Sequence, residues 1–163
     1  MPLSLRPALP KYEPFLYQLL YENFFEKLAA HLWDPKIREP ILKMQIQGQR
    51  SSYAAQYPQA DHGIIVLDDR AIGRLILDRG PEFHCLVDIT IAKKHRGAGI
   101  GTILIRSLCT EADLMRKPVR LHVASTNPAR ELYRRLGFRL LEDQQMNWLM
   151  ERLPGAGSLV GNP

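Results

Sequence analysis

At 163 residues the chain is long enough for one domain with a real core and too short for two comfortable ones. Hydrophobic residues make up 45% and charged residues 24%, the balance of a soluble globular protein. The net charge is +5, from 22 Lys and Arg against 17 Asp and Glu, yet no basic tail or Lys/Arg-rich arm argues for nucleic acid. Charges break every apolar stretch well short of a membrane span, and Met-Pro-Leu-Ser-Leu-Arg lacks a signal-peptide core, so a cytoplasmic chain without membrane attachment is expected. Cys85 and Cys109 fall in a predicted strand and a predicted helix. Their spacing supports neither a disulfide framework nor a zinc site, and no metal is expected.

Leu3–Arg6 alternates as a first short strand, closed by Pro7 and Pro10. From about Tyr12 to Trp33 a dense helical pattern runs through Phe15, Leu16, Leu19, Leu20, Phe24, Leu28 and Leu32. Tyr21, Phe25 and Trp33 lie off that stripe and are candidates for an acceptor pocket. Asp34-Pro35 reads as an N-cap with proline in the first turn of a second helix, which reaches about Tyr57. Its pattern is interrupted by Pro40 and weakened by Gly48, with Ile37, Ile41, Met44 and Ile46 predicted to face inward. Gly63–Leu67 and Ala71–Leu77 form a hairpin around Asp68-Asp69-Arg70. A β-branched strand then runs through Cys85, Val87, Ile89 and Ile91 to about Ala92.

Three glycines follow, Gly97, Gly99 and Gly101, and from Thr102 a helix continues to about 116 with Ile103, Leu104, Ile105, Leu108 and Ala112 as its apolar face. A glycine turn opening a helix leaves unpaired backbone N–H groups at the positive end of the helix dipole, an arrangement that holds phosphate. Lys93, Lys94 and Arg96 add positive charge just ahead of it. Two familiar phosphate loops are excluded. The triphosphate loop needs a Lys between Gly101 and Thr102, and the dinucleotide fingerprint needs glycine where Thr102 stands. Beyond Lys117-Pro118, Val119–Ala124 alternates as a strand and Asn127-Pro128 opens another helix, which Gly137 ends. Phe138–Leu141 and Met146–Arg152 read as the last two strands.

Arg96-Gly97-Ala98-Gly99-Ile100-Gly101 resembles the acyl-CoA pyrophosphate loop of the GCN5-related N-acetyltransferases, the GNAT superfamily. Asn127-Pro128-Ala129-Arg130-Glu131-Leu132-Tyr133-Arg134-Arg135-Leu136-Gly137-Phe138 resembles the fourth helix and following strand of the same superfamily. The resemblance implies an α/β (α+β) fold: one mixed, mostly antiparallel central sheet whose fourth and fifth strands run parallel and splay apart, with helices on both faces. It implies a GNAT domain over residues 1–153, with residues 154–163 left as a flexible tail.

The activity so implied is transfer of an acetyl group from acetyl-CoA to a primary amine, by direct attack in a ternary complex. A non-catalytic acyl-CoA-binding sensor on the same fold is the alternative. Residues Gly97, Ala98, Gly99, Ile100 and Gly101, the Thr102 hydroxyl and Arg96 are the expected pyrophosphate site. Backbone groups of Ile89 and Ile91 stand where family members pair with the pantetheine and the acetyl carbonyl. Tyr133 stands at the general-acid position. Asn127 is either a pantetheine contact or a plain N-cap. Asp88, out of phase with Ile89 and Ile91, is the candidate base or amine anchor, because an acid in an apolar strand is costly to bury without a purpose. Glu82, His84 and His122 are weaker candidates, a water chain would serve equally, and His62 and His95 are expected on the surface. The acceptor stays open among a polyamine, an amino acid, an aminoglycoside-like compound and a protein amine, and many members are homodimers.

Overall fold

The structure is a computed structural model that describes residues 2–157. Seven strands lie in one mixed sheet: β1 (Leu3–Pro7), β2 (Asp61–Leu67), β3 (Arg70–Arg79), β4 (His84–Ile91), β5 (Val119–Ala124), β6 (Arg139–Asp143) and β7 (Asn147–Arg152). The α-helices of the described residues are α1 (Glu13–Lys27), α2 (Pro35–Gln56), α3 (Ile100–Leu114) and α4 (Ala129–Arg135). The sheet order is β1-β2-β3-β4-β5-β7-β6, so the last strand of the chain inserts between β5 and β6. The chain divides into two compact units, Met1–Ile76 with Asp88–Ala98 and Leu77–Val87 with Gly99–Pro163. Among the described residues no helix is long and apolar enough to cross a membrane.

In the first unit β1 pairs antiparallel with β2 from Leu3↔Leu67 to Pro7↔Gly63. Asp68 and Asp69 link β2 to β3 at φ 50° and 64°. Two successive left-handed residues match the twist of a two-residue hairpin, which is why small polar residues stand there. Helix α1 buries Leu16, Leu19, Leu20 and Phe24 but ends at Lys27, short of the expected Trp33. The left-handed Ala29 turns the chain, and Ala30 drops into the cluster formed by Leu20, Phe24, Leu42 and Ile46. Tyr21, Phe25 and Trp33 pack against that cluster, half-buried.

Helix α2 starts as expected, with Asp34 Oδ1 accepting the Lys36 N–H at 2.9 Å. It runs unbroken through Pro40. Its buried face differs from the predicted one. Ile46 is buried, but Ile37 and Met44 are 50% and 72% exposed, and Leu42 takes the core position instead. Residues 42, 46, 49 and 53 form one helical stripe, and its polar half, Gln49 and Tyr53, belongs to the site described below.

In the second unit β4 and β5 run parallel, as the strand–helix–strand crossover predicts, with His84–Leu86 opposite Val119–Leu121. β4 continues to Ile91 beyond that ladder. Strand β5 pairs along its full length with β7, Val119↔Arg152 to Ala124↔Asn147. Helix α3 buries Ile100, Leu104, Ile105, Leu108, Cys109 and Ala112, while Ile103, expected inside, is exposed. Gly137 at φ 99° ends α4, and the Phe138 N–H closes the cap on the Tyr133 carbonyl at 3.0 Å.

The end of β7 is clamped to α3. Arg152, 3% exposed, donates to both carboxylate oxygens of Asp113 at 2.8 and 3.1 Å and to the Leu136 carbonyl at 2.9 Å. The Gly155 N–H also donates to Asp113 at 2.8 Å, so residues 154–157 of the expected tail are tied to the unit, and residues 158–163 lie outside the described residues. Truncating Arg152 leaves a carboxylate and a carbonyl unpaired. Arg152→Ala is expected to lower stability by about 3 kcal/mol, read as a reduced urea midpoint with unchanged slope.

A second charged cluster sets the response to pH. His84 is wholly buried, with Nε2 3.2 Å from Glu111 Oε2 in a contact too poorly aligned to be a hydrogen bond. Burial pushes the His84 pKa down, against the opposing pull of Glu111. The Arg79 guanidinium holds the Glu111 carboxyl below its usual value, and Arg152 does the same for Asp113. All three groups bind protons less readily folded than unfolded, so the stability they supply is present above about pH 6.5 and is lost as pH falls. Burial pushes the Cys109 thiol up to about 11, so its contribution is lost instead as pH rises from about 9. Thermal melts are expected to peak between these limits, and Cys109→Ala to flatten only the alkaline side.

Candidate active site

The glycine turn has the backbone shape that requires glycine. Gly97 and Gly99 sit at φ 77° and 81°, the left-handed region, and a Cβ added at either would meet nothing within 4 Å. In the second unit Gly99 is the N-cap of α3, and the Ile103 N–H returns to its carbonyl at 3.1 Å. The N–H groups of Ile100, Gly101 and Thr102 precede that first helical bond and have no backbone acceptor among the described residues. They are the positive end of a fifteen-residue helix.

The first unit supplies the approach to this turn. After β4 a short 3-10 turn, Lys93–His95, is anchored on α1: the Lys93 N–H donates to Glu22 at 3.1 Å. Arg96 donates through Nε to the Ile91 carbonyl at 2.9 Å and through Nη1 to Glu26 at 3.0 Å. Its charge is therefore shared with Glu26, and the side chain braces the turn as well as raising its potential. Beside the 3-10 turn, Phe15, Leu19, Tyr21, Glu22, Lys94 and His95 line much of a cavity of about 470 Å³; of the acceptor-pocket candidates Tyr21 is in this lining, and none of the predicted catalytic or cofactor-binding residues is.

Ile89 and Ile91 are half-buried in the second half of β4, and Thr90 between them is buried. Asp88 has a definite partner. Arg74, from the middle of β3, donates to Asp88 Oδ2 through Nε at 3.0 Å and Nη2 at 2.7 Å, and Thr90 Oγ1 donates to the same oxygen at 2.9 Å. Arg74 Nη2 also donates to Gln49 at 2.9 Å, and the guanidinium lies 5.9 Å from the Tyr53 ring. Burial, then the charge of Asp88, pushes the Tyr53 hydroxyl pKa up. The signal for Arg74 was in the sequence, as one charge inside Ala71–Leu77, an otherwise apolar strand.

In the second unit Asn127 Oδ1 accepts the Ala129 N–H at 2.9 Å, so its oxygen caps the start of α4. Its amide nitrogen has no partner among the described residues. Tyr133, one turn into α4, is buried with its ring edge-on to Phe138, centroids 5.7 Å apart. Arg130 and Arg134 lie over Trp148 at 4.5 and 5.4 Å, and Arg134 also pairs with Glu131. Glu82 and His122 are exposed. Among the described residues no group of three or more His, Cys, Asp or Glu could hold a metal ion.

Solved structures share this arrangement of elements. The chain is similar to PaiA N-acetyltransferase from Thermoplasma acidophilum in complex with coenzyme A, at 14% identity and TM-score 0.71, covering 94% of this chain and 99% of that one. It is similar to an acetyltransferase from Thermus thermophilus, at 21% identity and TM-score 0.66, covering 94% and 97%. It is also similar to a GNAT family acetyltransferase from Elizabethkingia anophelis with acetyl-CoA bound, at 16% identity and TM-score 0.60, covering 93% and 97%. At these identities the likeness speaks for the fold. The sequence adds its own match: residues 59–140, half of the chain, fit the family model described as an acetyltransferase (GNAT) domain. That stretch holds the parallel β4–α3–β5 crossover, the glycine turn and helix α4, and by that match the chain belongs to the GNAT acetyltransferase family.

Proposed function

We propose that the chain is an N-acetyltransferase that uses acetyl-CoA as donor and a primary amine as acceptor, in a ternary complex with direct attack. The observation that carries the reading is the turn before α3. Its left-handed Gly97 and Gly99 open into empty space, and the first helical N–H groups lack acceptors among the described residues. A pyrophosphate fits such a cradle, because backbone donors and the helix dipole favour an anion without any lysine in the loop. Bound coenzyme A and acetyl-CoA in two similar structures support the same assignment.

Each chain residue then has a task. Gly97, Ala98, Gly99, Ile100, Gly101 and the Thr102 hydroxyl hold the pyrophosphate, with Arg96 bracing the turn. Backbone groups of Ile89 and Ile91 align the pantetheine and the acetyl carbonyl. Asn127 offers its amide nitrogen to the pantetheine, since its oxygen is spent on the cap. Asp88 receives the acceptor amine. Tyr133 delivers its hydroxyl proton to the departing sulfur. The thioester supplies the activated acetyl group. A carbon–nitrogen bond forms as the carbon–sulfur bond breaks, one proton leaves the nitrogen and one arrives at the sulfur. Cys109 offers no route through an acetyl-enzyme, because its thiol is buried and its pKa is raised to about 11.

Thiol release measured over a panel of primary amines tests the reading. At least one amine is expected to give turnover, with initial-velocity lines that intersect as acetyl-CoA and amine are varied. Parallel lines would point to a covalent acetyl-enzyme and contradict direct attack.

A further inference from the structure

The acid of β4 is held in a way that distinguishes two roles the sequence leaves open. Arg74 is 5% exposed and the Asp88 side chain 17%. Three donors, Arg74 Nε, Arg74 Nη2 and Thr90 Oγ1, converge on Oδ2 of Asp88. No donor among the described residues reaches Oδ1. A carboxylate offers about four acceptor sites over its two oxygens, so Oδ2 is filled and Oδ1 keeps its own. The guanidinium is itself fixed, by Gln49 at 2.9 Å and by the face of Tyr53, two side chains of α2 one helical turn apart. It cannot swing away from Asp88 without giving up both.

A proton taken by Asp88 during turnover would leave this buried guanidinium facing a neutral acid, and an uncompensated buried charge is strongly unfavourable. An N–H received at Oδ1 disturbs nothing, because the pair stays ionised. We propose that Arg74 is a positioning residue: with Thr90 it occupies Oδ2 and presents Oδ1 of Asp88 as the acceptor for an N–H of the substrate amine. Asp88 thereby orients the amine, and the proton lost on attack passes to water and not to Asp88. The proposal rests on the acetyltransferase reading given above. It assigns to Arg74, Gln49 and Tyr53 the work of keeping the amine-binding oxygen in one place.

The test uses the full chain with an amine that the wild type acetylates. It compares Asp88→Asn, Arg74→Gln, Arg74→Lys and the double variant Arg74→Gln/Asp88→Asn, with acetyl-CoA affinity measured by calorimetry alongside. The double variant replaces an ion pair by a neutral pair, and so remains informative if either single variant fails to fold. Loss of one charge-assisted hydrogen bond is expected to raise KM for the amine about tenfold or more, with kcat within about threefold and the pH profile of kcat unchanged. The same split is expected in Arg74→Gln, the double variant should be no worse than the poorer single one, and Arg74→Lys should recover part of the loss. Acetyl-CoA affinity should not move in any of them. A fall in kcat of about a hundredfold or more in Asp88→Asn, with loss of a limb of the pH profile, would make Asp88 the base and overturn the proposal. An unchanged amine KM in folded Arg74→Gln would overturn it too. Absence of thiol release from the wild type with every amine would instead remove the acetyltransferase reading, and the proposal with it.

Discussion

Tyr133→Phe is expected to lower turnover by about 10²- to 10⁴-fold, the usual worth of a positioned general acid, while acetyl-CoA affinity stays within about twofold. The substitution keeps the packing of the ring. The ring of Tyr133 is buried on α4 and packs edge-on against Phe138, a contact that phenylalanine keeps. The cap on the Tyr133 carbonyl is made by the backbone and is indifferent to the side chain. What disappears is the hydroxyl, and with it the proton that the proposed reaction sends to the departing sulfur. A loss confined to kcat marks an interaction made in the transition state. A protein that only binds acyl-CoA as a sensor would respond to neither the amine nor the substitution. Unchanged turnover in Tyr133→Phe would show that another group protonates the sulfur.

The second large effect is expected at the turn before α3. Gly99 stands at φ 81°, where a β-branched residue is a severe outlier. Gly99→Val both forces the backbone out of that conformation and fills the space in which a pyrophosphate would lie. Acetyl-CoA affinity is expected to fall by about a hundredfold or more, since the helix N–H groups lose their common focus, with a stability loss of about 1–2 kcal/mol. Gly48→Ala is the matching control. It lies within α2 with nothing near its missing Cβ, and it should stabilise the chain by about 0.5–1 kcal/mol without touching affinity. Equal affinity in Gly99→Val and the wild type would mean that the turn is not where the donor binds.

The tight turn at Gly99 was readable from sequence because a glycine at a left-handed position leaves a mark within a few neighbours. Tyr133 was singled out only by the resemblance of its segment to a family motif. The parallel β4–α3–β5 unit was legible because a helix between two strands imposes direction. Legibility fails where tertiary contacts choose between alternatives that the sequence supplies equally. Helix α2 carries two apolar stripes, Ile37-Ile41-Met44 and Leu42-Ile46. Their periodicity is the same, and only docking against Leu20, Phe24 and Ala30 decides that the second is buried. The end of α1 at Lys27 follows from Ala30 entering that cluster, although the apolar pattern runs on to Leu32.

The partner of Asp88 was missed for a related reason. Asp88 and Arg74 lie fourteen residues apart on separate strands, and each alone looks like a lone charge in an apolar run. Neighbouring strands make them one ion pair, and α2 adds Gln49 and Tyr53 from a third element. The insertion of β7 between β5 and β6 is likewise invisible to local pattern, because both orders of the last two strands give the same alternation.

Isothermal titration of the wild-type chain with acetyl-CoA is the most direct measurement of the central claim. Saturable one-to-one binding is expected, competed by free coenzyme A and weakened about a hundredfold or more by Gly99→Val. Absence of binding at millimolar acetyl-CoA, with the chain folded, would contradict it and reduce the Arg96–Gly101 segment to a turn that only joins β4 to α3.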